Sequence, residues 1–133
     1  MSYLIATVST IQNCDSLHHI TFDCNGHTLS MISLELPQDI KIGKKVKLVI
    51  KATYVALAKE FRGFVSYANQ LPMTVHSVNN GTLLSSITLE FNDTFIESII
   101  MRDVSESMSL TVGDSLTAFI KASEIAICEV LDA

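Results

Sequence analysis

A chain of 133 residues with nine Lys and Arg against fourteen Asp and Glu has a formal charge of −5 and no basic run, which argues against nucleic acid as a direct partner. No apolar stretch approaches the roughly 20 residues that cross a bilayer as a helix, and the first residues lack the charged and apolar regions of a secretory leader. The composition therefore points to an intracellular, cytoplasmic chain with no membrane partner.

Hydrophobic residues make up 48% of the sequence and the mean hydropathy is +0.37. A small chain has too much surface for its volume to bury all of that internally, so a subunit interface is expected. Cys14, Cys24 and Cys128 are odd in number and show no Cys-x-x-Cys spacing, and they predict free, buried thiols. His18, His19, His27 and His76 form no ligand pattern with them, so no metal-cation site is expected.

In chain order, Ile5 to Ile11 is rich in β-branched residues and predicts a strand, followed by loop chemistry at Asn13-Cys14-Asp15-Ser16. Ile20 to Cys24 alternates, Asn25-Gly26 supplies a tight turn with two positive φ values, and Leu29 to Ile32 returns as the partner strand. Pro37-Gln38-Asp39 opens at most one helical turn before Gly43, a strand runs from Lys45 to Lys51, and Thr53 to Ala58 closes the unit. The result is an all-β unit of five short strands.

From residue 66 the same order returns. Ile20-Thr21-Phe22-Asp23 matches Ile87-Thr88-Leu89-Glu90, and Thr7-Val8 matches Thr74-Val75, both at a spacing of 67, whereas Gly43 and Gly113 are 70 apart. The extra three residues fall where the second copy has Arg102 to Leu110, long enough for a short helix. The chain is thus two tandem copies of one small β unit, residues 1–60 and 61–133. The connection from Lys59 to Val65 contains Phe61, Phe64 and Val65, too apolar for a free tether, so the units are expected to pack on each other.

Each copy ends on the same corner, Ile50-Lys51-Ala52-Thr53 or Ile120-Lys121-Ala122-Ser123. The apolar parity of Val46, Leu48 and Ile50, or of Leu116, Ala118 and Ile120, sets each lysine on the face opposite the core. An ammonium, a turning backbone and a hydroxyl arrive together at a strand end, twice over, which is a plausible anion-binding corner. No Gly-rich phosphate loop, nucleophile constellation or carboxylate pair is present, and the chain reads as no enzyme.

At Ser66-Tyr67-Ala68-Asn69-Gln70-Leu71-Pro72, with Lys121-Ala122-Ser123 following, the sequence resembles the molybdate-binding Mop or TOBE domains. Their units open with Ser-Ala-Arg-Asn-Gln-Leu and close with Lys-Ala-Ser. The tandem form resembles the molbindins and the C-terminal sensor half of molybdate-responsive transcriptional regulators.

The resemblance implies two OB-fold-like five-stranded barrels, assembled as a dimer or trimer, with molybdate or tungstate held between subunits. Carried onto this sequence, it assigns the oxyanion to Ser33, Lys51, Ala52, Thr53, Ser66, Lys121, Ala122 and Ser123. Asn69 is either a further contact or an inter-strand structural amide. This chain also departs from the pattern. Ala68 stands in place of the family's Arg, Met101 and Leu36 replace hydroxyls, and the opening segment is missing before Leu4. Arg62 or Lys59 would be the cations available to substitute.

Such dianions only accept hydrogen bonds, so a selective hollow should present N–H groups, hydroxyls and a cation, and no carboxylate. Three functions follow: storage of the oxyanion, an oxyanion-sensing effector module, or a barrel kept for association after losing its anion sites. No helix-turn-helix pattern precedes the first unit, which favours storage.

Overall fold

In a computed structural model describing residues 1–131, ten strands form two antiparallel five-stranded sheets. The first half contributes β1 (Ser2–Cys14), β2 (Leu17–Cys24), β3 (His27–Ser33), β4 (Lys45–Ile50) and the short β5 (Ala56–Ala58). The second contributes β6 (Asn69–Asn80), β7 (Leu84–Phe91), β8 (Thr94–Met101), helix α1 (Arg102–Ser107), β9 (Ser115–Ile120) and β10 (Ile125–Val130). Single 3₁₀ turns at Ala52–Tyr54 and Ala122–Glu124 follow β4 and β9.

The sheets read β10-β4-β1-β2-β3 and β5-β9-β6-β7-β8. Each therefore takes its outermost strand from the other half of the chain. The repeat boundary near residue 60 and the boundary between sheets do not coincide, because each corner turns the chain out of one barrel and into the other.

Alternation places the core. Leu4, Ala6 and Val8 of β1, Ile20 and Phe22 of β2, and Val46, Leu48 and Ile50 of β4 are buried, and Leu71, Met73, Val75, Ile87, Leu89, Leu116, Ala118 and Ile120 repeat the pattern. One continuous cluster of buried side chains runs through both sheets, as expected of units too small to be stable alone.

The repeat extends to irregularities. β1 bulges between Val8 and Thr10, and β6 between Val75 and Ser77. At each bulge a glycine with positive φ, Gly43 at 90° or Gly113 at 95°, donates its N–H to the carbonyl of Val8 (2.8 Å) or Val75 (2.9 Å).

Two sequence expectations about exposure are corrected. Only Cys24 is buried, and desolvation pushes its thiol pKa up; Cys14 is exposed at the end of β1, and Cys128 at the irregularity between Ile127 and Glu129 in the outermost strand β10. β1 runs through Cys14, which pairs with Leu17, so the loop at Asn13–Ser16 shrinks to a two-residue turn with Asp15 at φ 55°. In the linker Phe61 packs edge-on against Phe119, but Phe64 is 106% exposed and packs on nothing.

The barrels are clasped reciprocally. The Asn69 amide, 1% exposed, accepts from the Ser30 N–H (2.7 Å) and donates to the carbonyls of Ser30 (2.9 Å) and Ile120 (3.1 Å). At the equivalent start of β1, the Ser2 hydroxyl accepts from the Glu97 N–H at 2.8 Å. The hairpin turns meet as well: Asn92 donates its amide to the Asn25 carbonyl (2.9 Å), and Asn25 donates to Thr94 Oγ1.

Candidate functional site

Both corners adopt one conformation because each is a strand end followed by a 3₁₀ turn. Lys51 (φ −74°, ψ 133°) and Lys121 (φ −69°, ψ 146°) are still extended, and the residues after them turn. The leading N–H groups of such a turn have no partner inside it, and no side chain caps either one. Tyr54 donates its N–H to the Lys51 carbonyl at 3.0 Å, and Glu124 to the Lys121 carbonyl at 2.9 Å. Ala52 is buried, whereas Lys51, Thr53, Lys121 and Ser123 are exposed and Ala122 is half-buried.

The corners are brought together within a single chain. A hollow of about 370 Å³ is lined by Thr53 and Tyr54 of the first corner and by Lys121 and Glu124 of the second, with Tyr67 and the apolar Val55, Ala56, Ile99 and Ile100 completing the wall. Tyr67 is fixed by stacking on Phe119, with centroids 5.3 Å apart. The first corner is tied to β8 by the buried Ser98 hydroxyl, which donates to the Val55 carbonyl at 2.7 Å.

A second hollow, of about 430 Å³, lies at the pseudo-equivalent place. Ser123 lines it, together with Ser33, Glu35, Leu36 and Pro37 from β3 and the loop after it. Ser33 donates its hydroxyl to the Glu35 carbonyl (2.7 Å) and accepts from the Glu35 N–H (3.2 Å).

The structure thus joins Thr53 to Lys121, and Ser33 to Ser123. It does not bring Lys51 into either hollow; the Lys51 ammonium lies over the Tyr54 ring, 5.5 Å from its centroid. Ser66 is exposed and lines neither hollow. The Asn69 amide is committed to backbone partners, and both of its hydrogens are used.

The expectation of carboxylate-free hollows is not met. Glu124 belongs to the 3₁₀ turn that carries Lys121 and lines the first hollow, and Glu35 belongs to the turn held by Ser33 and lines the second. Among the described residues the ion pairs are Lys59–Asp114 at 3.2 Å and Arg102–Glu106 at 2.9 Å, so neither corner lysine is neutralised by a carboxylate. Lys59 cannot replace the family's Arg. It donates to the carbonyls of Met108 (3.1 Å) and Ser109 (3.2 Å) at the end of α1. Arg62 lies in the exposed linker and lines neither hollow.

Tyr54, Tyr67, Glu124 and Ile100 were missed as lining residues. A signal was available for two of them, because Tyr54 and Glu124 each directly follow a corner hydroxyl in the sequence.

Residues 66–127 match the TOBE domain family. The cytoplasmic molybdate-binding protein ModG, in a crystal structure with molybdate bound, is 26% identical and superposes over 94% of this chain and 93% of its own, with a TM-score of 0.86. The chain belongs to the TOBE family. It has the tandem Mop arrangement, two barrels of one kind in sequence, and ModG, which it resembles along its length, is a binding protein rather than an enzyme. A molybdate-binding protein from Sporomusa ovata is 31% identical and is covered over its whole length by 53% of this chain, with a TM-score of 0.46. No curated protein matches the chain.

Proposed function

We propose that this TOBE protein binds a tetrahedral metal oxyanion, molybdate or tungstate, in the cytoplasm and serves its storage or homeostasis. The observation that carries the reading is the meeting of the two corners in one hollow, where Thr53 supplies a hydroxyl, Lys121 an ammonium with no ion pair among the described residues, and Tyr67 a further donor. The likeness over 94% of the chain to a cytoplasmic molybdate-binding protein supports the same ligand and compartment.

A fully deprotonated dianion accepts hydrogen bonds and offers none, so a hydroxyl, an ammonium and main-chain N–H groups are the chemistry it needs. Charge-assisted bonds contribute about 1.5–3 kcal/mol each, and micromolar affinity corresponds to about −8 kcal/mol, so several donors must converge. Of the residues that the resemblance assigns, Thr53 and Lys121 line this hollow and are the candidates that supply them, with the turn main chain at Ala52 and Ala122; Lys51, Ser33, Ser66 and Ser123 lie outside it. Asn69 acts beneath them by fixing β6 to β3.

Further donors come from a second copy. The exposed apolar side chains Phe64 (106%), Leu83 (78%), Leu34 (69%) and Val112 (68%) support a homo-oligomer, with the anion held where subunits meet.

Calorimetric titration with molybdate, tungstate and sulfate, with the solution mass measured alongside, tests the reading. Molybdate and tungstate are expected to bind and sulfate to bind more weakly. Lys121→Ala is expected to remove the heat of binding, and a Lys121→Ala variant with undiminished affinity shows that the corner is only structural.

A further inference from the structure

The sequence repeats its corner, but the two hollows built from those corners differ in charge and in free donors. We infer that the duplication yields one oxyanion site per chain, at Thr53 and Lys121, and that the pseudo-equivalent hollow at Ser33 and Ser123 does not take the anion. The inference rests on the oxyanion reading above and narrows it.

Three observations separate the hollows. The first is the cation. Lys121 lines the Thr53 hollow, where it faces Glu124 without pairing to it. Lys51 occupies the same place in its own corner, yet it lines neither hollow and rests over Tyr54. The Ser33 hollow therefore contains a carboxylate, Glu35, and no cation.

The second observation is the donor supply. The Ser33 hydroxyl spends its single proton on the Glu35 carbonyl, so it has none to give to an anion. Among the described residues Ser123 is then the one free hydroxyl of that hollow, whereas in the other the Thr53 hydroxyl has no partner and Lys121, Tyr54 and Tyr67 add further donors.

The third is the wall. Apolar side chains line both hollows, Val55, Ala56, Ile99 and Ile100 in one and Met31, Ile32, Leu36 and Pro37 in the other, but only the Thr53 hollow sets a lysine among them to offset a dianion's lost hydration. Leu36 and Pro37 belong to the loop between β3 and β4, which the second copy replaces with α1. The insertion that distinguishes the copies in sequence thus also distinguishes the hollows. Where Met31 sits beneath the second corner, the first corner has Ser98, whose hydroxyl holds the turn in place.

Titration of the full chain with molybdate, counted by equilibrium dialysis, tests the inference. One anion per chain is expected. Lys121→Met is expected to abolish binding, Lys121→Arg to retain it, and Thr53→Val to weaken it about tenfold or more, whereas Lys51→Met and Ser33→Ala keep Kd within about twofold. Both lysines and Thr53 are exposed, so these variants retain the fold, which an unchanged urea midpoint checks.

Two anions per chain, or a loss with Ser33→Ala or Lys51→Met equal to that with Lys121→Met, overturns the single site while leaving the oxyanion reading standing. No binding by the unaltered chain overturns both.

Discussion

The two barrels share a backbone and differ in the side chains that secure it. Where β6 begins, Asn69 makes three hydrogen bonds; where β1 begins, Ser2 makes one. In the turn before β9, Asp114 accepts from the Thr111 N–H at 2.9 Å and pairs with Lys59, whereas the turn before β4 has Lys44 at that place, held by its main chain alone, which donates to the Lys41 carbonyl at 3.1 Å and accepts from the Val8 N–H at 2.9 Å. Bulges, glycine turns and 3₁₀ corners recur in both copies because main-chain hydrogen bonds dictate them. Local chemistry is free to diverge on that frame, and the second copy is the more heavily braced.

The widest difference is expected at the clasps. Asn69→Ala leaves the N–H and carbonyl of Ser30 and the carbonyl of Ile120 without their partner, and is expected to cost about 3 kcal/mol, against about 1 kcal/mol for Ser2→Ala. Urea unfolding of the two variants measures this, and equal losses would show the clasps to be interchangeable.

Gly43→Ala and Gly113→Ala sharpen the opposite point. Both force a side chain into left-handed φ with open space around the added methyl, so each is expected to cost about 1 kcal/mol, the same in either copy. A marked inequality would mean that the frame itself has diverged.

The smallest effect concerns acid. The Thr111 N–H first, and the Lys59 ammonium second, hold the Asp114 carboxyl below the ordinary Asp range. A depressed folded-state pKa contributes stability that is present above the ordinary carboxylate value and lost as pH falls through the lowered one. Asp114→Asn is therefore expected to lower stability slightly near neutrality and to flatten the acid limb of the profile, its deficit vanishing as pH falls through the lowered value. Lys44→Ala, at the equivalent place, is expected to leave that limb unchanged.

Much of this fold was legible. The parity of Val46, Leu48 and Ile50 against Leu116, Ala118 and Ile120 set both core faces, and Asn25-Gly26 forms its turn with φ values of 50° and 92°. The extra residues from Arg102 do form α1. Parity states which face of a strand is buried but not which sheet the strand joins, so the exchange of β5 and β10 was not readable.

The candidate site was legible in its corners and not in its surroundings. A run such as Lys121-Ala122-Ser123 names donors, but Glu35, Tyr67 and Ile100 reach the hollows from other strands and loops. Phe64 was expected to pack because it is apolar; it stands at the tip of the linker, where no strand approaches it.

The traded outer strands also order events on the ribosome. The sheet β5-β9-β6-β7-β8 uses one continuous segment, residues 56–120, and can close as soon as that segment has emerged. The other sheet has an open flank along β4 until Ile125–Val130 is made, so the portion synthesised first is completed last. A nascent chain stalled before residue 125 would therefore expose an unpaired edge along β4, the place where a chaperone or a neighbouring chain would first take hold.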